Sequence, residues 1–305
     1  MGPFIVRRVA MTVLMLFLVL LTVLSLGHLS GDPVRLMVRD NATEQEQASL
    51  RQSLGLDRPL PAQFLDYLGH ALRGDLGDSL RYRESTLSLV MGRMPATVEL
   101  STAAMIIALL VAIPAGVVAA LRPGTWADVL SSAVSLIGQS MPAYWIGIML
   151  IVLFSVQLGW LPATGRGDLT NLVLPAITLG LWPMARIARV LRSSLLEVLH
   201  EDFVRTARAK GLAERRVMLS HTLRNASIPM VTITALTFGN ILGGTVVTES
   251  VLGWPGVGRL ALEAVNNRDF PLLQATVLVT AVVLVFISLA LDLVYVWLDP
   301  RIRLG

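Results

Sequence analysis

Cysteine is absent from this chain of 305 residues, and lysine occurs only once, at Lys210. The lack of cysteine excludes a disulfide framework, thiolate metal sites and cysteine catalysis. Charged residues are also scarce, at 15% of the chain, whereas soluble domains carry roughly 25%. Together with 54% hydrophobic residues, this scarcity indicates an integral membrane protein.

The single lysine also bears on nucleotide chemistry. A P-loop requires Gly-Lys-Ser/Thr because the lysine reaches the β- and γ-phosphates. Lys210 is followed by Gly211, so the chain has no P-loop, and any ATP hydrolysis belongs to another chain. The net charge of +4 is interpreted as arginine-rich cytoplasmic loops, and no nucleic-acid partner is expected.

The four histidines do not predict an enzyme. A zinc protease of the membrane needs His-Glu-x-x-His, but His200-Glu201 is followed by Val204 at the fifth position, so the second ligand is missing. A serine protease of the membrane needs Gly-x-Ser-Gly, which does not occur. A secondary transporter or channel remains the alternative, although the sequence has no matching halves and few ionisable residues within its apolar runs.

Apolar runs predict the membrane spans. A hydrocarbon core of about 30 Å requires roughly 20 apolar residues in a helix. The fourth run is short, but its register continues to Val198, so its helix is predicted to extend past the membrane, and Arg186 and Arg189 can snorkel to the interface. The six runs are Val9–Gly27, Thr97–Leu121, Val129–Val156, Leu172–Ala185, Pro229–Leu252 and Leu272–Leu298.

The first run has two interpretations, because it follows Arg7-Arg8 as a secretory signal peptide would. It is longer than the usual 7–15 residues, and Leu26-Gly27-His28 is a poor cleavage site, so a retained helix is favoured. Arginine then sets the orientation, because short cytoplasmic loops are enriched in it. Both termini are predicted to be cytoplasmic, from Arg7, Arg8, Arg122, Arg186 to Arg224, Arg301 and Arg303 inside, against Arg166, Arg259 and Arg268 outside.

Residues 30–96 are too long for an ordinary connection and predict a small helical domain outside the membrane. Thr43 to Glu46 fits a capping box that opens a helix ending near Gly55. A second amphipathic helix is predicted to end at Gly74, with the apolar stripe Phe64, Leu65, Leu68, Ala71 and Leu72. Two roles stay open for this domain, a cap on the outer mouth and a docking face for an external partner.

Two of the apolar runs carry polar residues that predict a translocation pathway. The third has Ser131, Ser135, Gln139 and Pro142 at helical spacing on one face, and the fifth is rich in threonine and glycine. Gly239 and Gly243 suit close helix packing, but Asn240 in lipid costs free energy unless it is partnered or wetted. The candidate pathway residues are Ser135, Gln139, Thr237, Asn240 and Glu249; hydrogen bonding between helices is the alternative role.

The inner loop, residues 191–228, is helical in pattern and densely charged, and Gly211 interrupts it. A solvated connector is the usual interpretation of such a loop. Apolar residues nevertheless recur through it, which favours a helix–turn–helix that fills a groove on another protein. These residues are Phe203, Ala207, Leu212, Val217 and Leu223.

This loop carries a family resemblance. The segments Glu201–Leu212 and His221–Ala226 resemble the cytoplasmic loop of ABC importer permeases, in particular the dipeptide, oligopeptide and nickel branch. The wider family has a Glu-Ala-Ala signature with a glycine six residues after the glutamate. Ala207 and Gly211 match it, whereas Arg205 and Thr206 replace the glutamate and the first alanine, a departure that the peptide branch shares.

Further motifs of that branch follow in order along the chain. They are Gly31-Asp32-Pro33, Gly55-Leu56-Asp57, Gly74 to Ser79, Glu249 to Arg259 and Asp299 to Arg303. The resemblance implies an all-α type I ABC importer permease with six transmembrane helices in the bacterial inner membrane. It also implies the partners: a second permease, two ATP-binding subunits that hold ATP and Mg, and an extracytoplasmic solute-binding protein.

On this interpretation the chain divides into an N-terminal helix (1–29), an outer helical domain (30–96), a transport core (97–298) with the coupling loop 191–228, and a tail (299–305). The expected cargo is di- or oligopeptides, with nickel chelates or glutathione as the alternative, and ATP-driven closure of the partners is expected to move the loop. The residues expected to couple to the ATPases are Glu201, Asp202, Arg205, Ala207, Gly211, Leu212, His221 and Arg224.

Overall fold

The computed structural model describes residues 10–22, 34, 43–53, 57–243 and 245–298. Within these ranges regular structure is helical, and the β contact is an isolated antiparallel bridge between Asp78 and Ser85. The helices are α1 Ala10–Thr22, α2 Glu44–Ser53, α3 Leu60–Ala71, α4 Thr86–Leu121, α5 Trp126–Ser140, α6 Ala143–Leu150, α7 Leu169–Leu199, α8 Asp202–Ala209, α9 Glu214–Gly243, α10 Val246–Val251, α11 Val257–Asn266 and α12 Phe270–Leu298.

In this part of the chain, four helices are long and apolar enough to cross a membrane, namely α4, α7, α9 and α12. A fifth span results if α5 and α6 are taken together. The described part of the first run, α1, is a shorter apolar helix, and residues 9 and 23–27 of that run lie outside the described residues. The structure thus supports a helical membrane protein, while the count of six spans stays a prediction.

The run Val129–Val156, expected as one span, is broken in the structure. Asp128–Ser140 and Ala143–Gln157 meet at 108°, and the second segment ends in the π-helix Ile151–Gln157. The break lies at Pro142, which has no N–H to continue the helix. Its ring also disfavours helical backbone at the preceding residue, and Met141 is extended, with ψ of 136°. The run thus consists of two helices, and its count as one span stays a prediction.

Helix α7 confirms the predicted extension of the fourth run, because it continues from Leu169 to Leu199. At 1.5 Å per residue its 31 residues span about 46 Å, more than a bilayer core of about 30 Å. It packs against α5, α6, α9 and α10. Its buried residues include Leu174, Ile187, Leu191 and Leu195, so α7 is the central helix of its unit.

The chain forms two compact units. One comprises the described residues up to Ala96 together with Pro255–Phe286, and the other comprises Thr97–Trp254 and the described residues from Ile287. In the second unit α4 and α7 come close enough for backbone contact. A Cβ on Gly180 would lie 2.7 Å from the carbonyl oxygen of Ala104, and one on Gly116 would lie 2.9 Å from that of Ala188. Small residues at such contacts let membrane helices pack closely.

The first unit contains the two short helices predicted before the second span. The capping box is present, because Thr43 N donates to Glu46 Oε2 at 2.9 Å and Glu46 N donates to Thr43 Oγ1 at 3.3 Å. The hydrogen bonds that Thr43 N and, at 3.1 Å, Thr43 Oγ1 donate to the Glu46 carboxylate hold its pKa below the usual range. Residues 54–56, where this helix was expected to stop, lie outside the described residues.

The apolar stripe of α3 is only partly covered within its unit. Phe64 packs edge-on against Phe17 of α1, with ring centroids 5.0 Å apart, but Leu65 is 66% exposed and Leu72 is 81% exposed. Further along, the buried carboxylate of Asp269 accepts hydrogen bonds from the Ser79 hydroxyl and, at 3.1 Å, from Arg81 N. This carboxylate joins the segment before α4 to the start of α12.

The orientation stays a prediction, and the natural absence of cysteine makes it easy to test. Gln45→Cys on α2 and Lys210→Cys after α8 place a thiol at exposed positions. We expect a membrane-impermeant maleimide to label Gln45→Cys in intact cells and Lys210→Cys only after the membrane is opened. The reverse labelling pattern would contradict the orientation.

Candidate functional site: an exposed inner loop and a polar helix face

The inner loop has a small hydrophobic core of its own. Val204, Ala207 and Val217 are buried together, and Val198 at the end of α7 and Leu212 pack against them. Ala207 and Leu212, two of the predicted coupling residues, therefore face the inside of the loop. The core attaches α8 to the end of α7, so displacement of α8 by a partner would also act on α7.

The opposite face of the loop is exposed. Glu201, Asp202 and Arg205 lie there, and Arg205 approaches Asp202 at 3.5 Å. Phe203, one of the apolar residues predicted to fill a partner's groove, is 40% exposed, whereas Val204 is buried. Phe203 and Val204 both lie within about 60° of Ala207 around the helix. Packing with Val217, rather than helical spacing, therefore makes Val204 the buried residue. On α9, His221 is half-buried and Arg224 is exposed.

Gly211 ends α8 in a Schellman motif. Its φ is +74°, Gly211 N donates to Arg208 O at 2.9 Å, and Leu212 N donates to Ala207 O at 3.4 Å. These two hydrogen bonds satisfy carbonyls at the end of the helix and need left-handed backbone at the glycine. The Arg208 guanidinium also binds both carboxylate oxygens of Glu214, at 2.7 and 3.2 Å. The break predicted at Gly211 is thus confirmed.

Gln139 and Ser135 lie on α5, where α5 packs on α7. Arg189 Nη1 of α7 donates to Gln139 Oε1 at 3.3 Å, whereas the buried Nε2 of Gln139 has no hydrogen-bond partner among the described residues. Ser135 is buried and lines a cavity of about 350 Å³ between α4, α5 and α7. The cavity wall is otherwise mostly apolar, and it includes Ser131, Trp126 and Met184.

The other three predicted pathway residues have different surroundings. The Thr237 hydroxyl is buried and donates to Ile233 O of its own helix at 2.6 Å. Glu249 of α10 is fully buried and accepts a hydrogen bond from Thr97 Oγ1 at 2.7 Å. Asn240 is exposed on α9. A pathway role for all five residues stays a prediction.

An ion pair that the sequence pattern did not reveal joins α5 to α7. Arg192 binds Asp128 through Nε at 2.7 Å and Nη2 at 2.9 Å, and Gly124 N donates to the same carboxylate at 3.0 Å. Bidentate pairs of this kind are among the stronger side-chain hydrogen bonds. The sequence feature that could have indicated this ion pair was Asp128 in the first turn of α5. Its partner, Arg192, lies 64 residues away in the sequence.

No three potential metal ligands of the His, Cys, Asp or Glu type gather anywhere in the described residues. The features that stand out are apolar spanning helices, a broken helix with polar residues beside it, and an exposed inner loop seated on a long helix. They are those of a helical membrane protein. Solved structures share the fold, including an inward-facing MetNI methionine ABC transporter, with a TM-score of 0.58 and 18% identity over 69% of this chain and 96% of that chain.

The chain belongs to the family described as binding-protein-dependent transport system inner membrane component, whose model matches residues 112–304. The N-terminal model of the same family matches residues 1–101. One relative is the di/tripeptide transport system permease protein DppB of Pseudomonas aeruginosa, 42% identical over 99% of each chain. Another is the glutathione transport system permease protein GsiC of Escherichia coli, 41% identical over 98% of each chain. The protein is therefore an inner-membrane permease component.

Proposed function

We propose that this chain is one permease subunit of an ATP-driven importer that carries di- or oligopeptides across the inner membrane. The observation that carries the proposal is the inner loop, which buries its own core and leaves Phe203 with the charged residues of α8 exposed. An apolar side chain amid charge on an exposed helix suits docking into a groove of another protein. The partners are two ATP-binding subunits, which hold ATP and Mg, a second permease and an external solute-binding protein.

Coupling runs through α7. The loop core packs on Val198 at one end of this helix, and the same helix carries Arg189, nine residues earlier and about 14 Å away along the axis. When the ATP-binding subunits close, they displace the exposed face of α8. Because α8 and α7 share a packed core, α7 moves with it and alters the packing at α5, where the predicted pathway residues Ser135 and Gln139 lie.

Glutathione is the second candidate cargo, because the relatives named for glutathione and for di/tripeptides are nearly equally similar to this chain. Both compounds are small peptides with free carboxylates, so one pathway chemistry suits both. Nickel chelates remain an alternative for the same machinery. The solute-binding protein sets much of this selection, which is why the permease sequence alone leaves it open.

The test is uptake by the whole system. The chain is co-expressed with the products of its neighbouring genes, purified as a complex and placed in proteoliposomes with the solute-binding protein outside. We expect ATP-dependent accumulation of labelled dipeptide, and none when the ATP-binding subunits are omitted. Uptake of glutathione but not of dipeptides would select the second candidate, and transport that continues without any ATP-binding subunit would contradict the proposal.

A further inference from the structure

One face of α7 carries two arginines inside the membrane-spanning helix. Trp182, Arg186 and Arg189 follow one another at helical spacing, and Trp182 and Arg189 are exposed in the isolated chain. The Arg186 guanidinium lies over the Trp182 ring, 5.2 Å from its centroid. Arg189 reaches Gln139 on the neighbouring α5. Guanidinium donors are thereby gathered beside the end of α5, next to the break at Pro142.

These side chains point away from the charged end of α7. Trp182 lies one turn before Arg186, towards the apolar half of the helix. Gly138, the neighbour of Gln139, packs against Leu181 and Ala185, so Arg189 also extends back towards that half. Helical side chains lean towards the N-terminus of their helix. Here this directs both guanidinium groups towards the apolar half of α7.

A guanidinium on a membrane-spanning helix is costly wherever it meets hydrocarbon. An arginine at the bilayer centre costs about 2.5–3.5 kcal/mol even on the lenient insertion scale, so such residues face protein or a water-filled cavity. Aromatic stacking and one amide hydrogen bond leave most of the ten N–H donors of the two arginines unused. The face therefore requires an acceptor-rich occupant or water.

The chemistry of the face selects an anion. Gln139 adds a buried Nε2 group without a partner among the described residues. Before Glu197, α7 contains no acid, and the one acid of α5, Asp128, is bound by Arg192. Planar guanidinium groups recognise carboxylates through paired hydrogen bonds. A lipid phosphate offers the same acceptor chemistry, and the test below separates it from the substrate carboxylate.

We propose that Arg189 and Gln139, assisted by Arg186, form a transient site for the carboxylate of the substrate in the translocation pathway. This inference rests on the proposed import of peptides, all of which carry that group. The site is formed on α7, the helix to which the loop core attaches, so movement of the loop would load or release it.

The test compares four variants in the reconstituted importer. Arg189→Gln removes the charge, Arg189→Lys keeps the charge without the planar fork, and Gln139→Glu places a carboxylate beside Arg189. Arg122→Gln is the matched control, because it removes an exposed arginine from the loop before α5. The readouts are membrane level, ATPase stimulation by loaded solute-binding protein, and dipeptide imported per ATP hydrolysed.

We expect Arg189→Gln to lower import per ATP about tenfold, the order expected for one charge-assisted hydrogen bond, with ATPase stimulation retained. Arg189→Lys should fall in between, and Arg122→Gln should match the wild type. Gln139→Glu separates the roles. A merely structural Arg189–Gln139 contact is strengthened by the new ion pair and leaves import normal, whereas a substrate site is blocked by it.

Normal import by Arg189→Gln or by Gln139→Glu would overturn the site. The site would also be overturned if import by the wild type required phosphatidylglycerol in the vesicles and import by Arg189→Gln did not. The arginine would then bind a lipid phosphate. Failure of the proposed function is distinguishable, since the wild-type complex itself would then import neither dipeptide nor glutathione.

Discussion

Gly180→Leu is expected to eliminate nearly all of the folded permease. A Cβ at this position lies 2.7 Å from the carbonyl oxygen of Ala104, and neither backbone moves without separating α4 from α7. Overpacking of this kind usually costs about 1–3 kcal/mol and sometimes more, and here the obstacle is backbone. Gly116→Leu should have a similar effect at the second contact, because its Cβ meets Ala188 O at 2.9 Å. The measurement is the monodisperse fraction after detergent extraction, together with thermal stability.

The matched control for this prediction is Gly92→Leu. Gly92 is also a glycine of α4, but a Cβ there meets nothing within 4 Å. The same gain in volume should leave extraction and stability near those of the wild type. Equal loss in all three variants would mean that leucine is harmful for a general reason, such as defective insertion. Normal folding of Gly180→Leu would contradict the close packing of α4 on α7.

The parts of the fold that could be predicted from the sequence rest on local signals. Helical periodicity through Val198 correctly extended α7 beyond its apolar run. The Thr43–Glu46 pattern gave the start of α2, since a capping box uses only residues within one turn. Gly211 was identified as a break for the same reason, because left-handed backbone at a helix end strongly favours glycine.

Features that depend on tertiary packing could not be predicted. The sequence placed Pro142 in the middle of a long apolar run, and proline kinks are common in membrane helices. Whether such a helix bends slightly or turns by 108° depends on what it packs against. Here Gly147, just beyond the break, packs against Thr178 of α7. A Cβ built on Gly147 would lie 3.2 Å from the Thr178 methyl carbon.

The candidate site likewise combines local features that the sequence predicts with long-range contacts that it does not predict. The loop and its turn were recognisable, but the apolar pattern could not show which of its residues form the loop's own core and which stay exposed for a partner. Val204 packs with Val217 in that core, whereas Phe203 is exposed. The pairs Asp128–Arg192 and Gln139–Arg189 join residues 64 and 50 positions apart, and no local pattern indicates contacts at that separation.

Gly211→Val should uncouple the importer without unfolding it. The position has φ of +74° and open space around a Cβ, so the cost is the left-handed backbone of a β-branched residue, about 1–2 kcal/mol. That cost is too small to unfold the membrane helices, but it opposes the Schellman turn that positions Leu212 and the start of α9. Because the exposed face of α8 then presents a different shape to its partner, we expect weaker co-purification of the ATP-binding subunits and uptake reduced by about tenfold.

Two further variants make this result specific to the loop. Gly124 has φ of +75° and equally open surroundings, but it lies before α5 rather than in the coupling loop, so Gly124→Val imposes the same strain elsewhere. Gly211→Asn changes the coupling position itself, and asparagine accepts left-handed backbone more readily than valine. Gly124→Val should retain ATPase association, and Gly211→Asn should recover most of the uptake. If Gly211→Val transported normally, or if Gly124→Val were equally defective, the turn would have no special part in coupling, and the exposed face of α8 would be only a solvated connector.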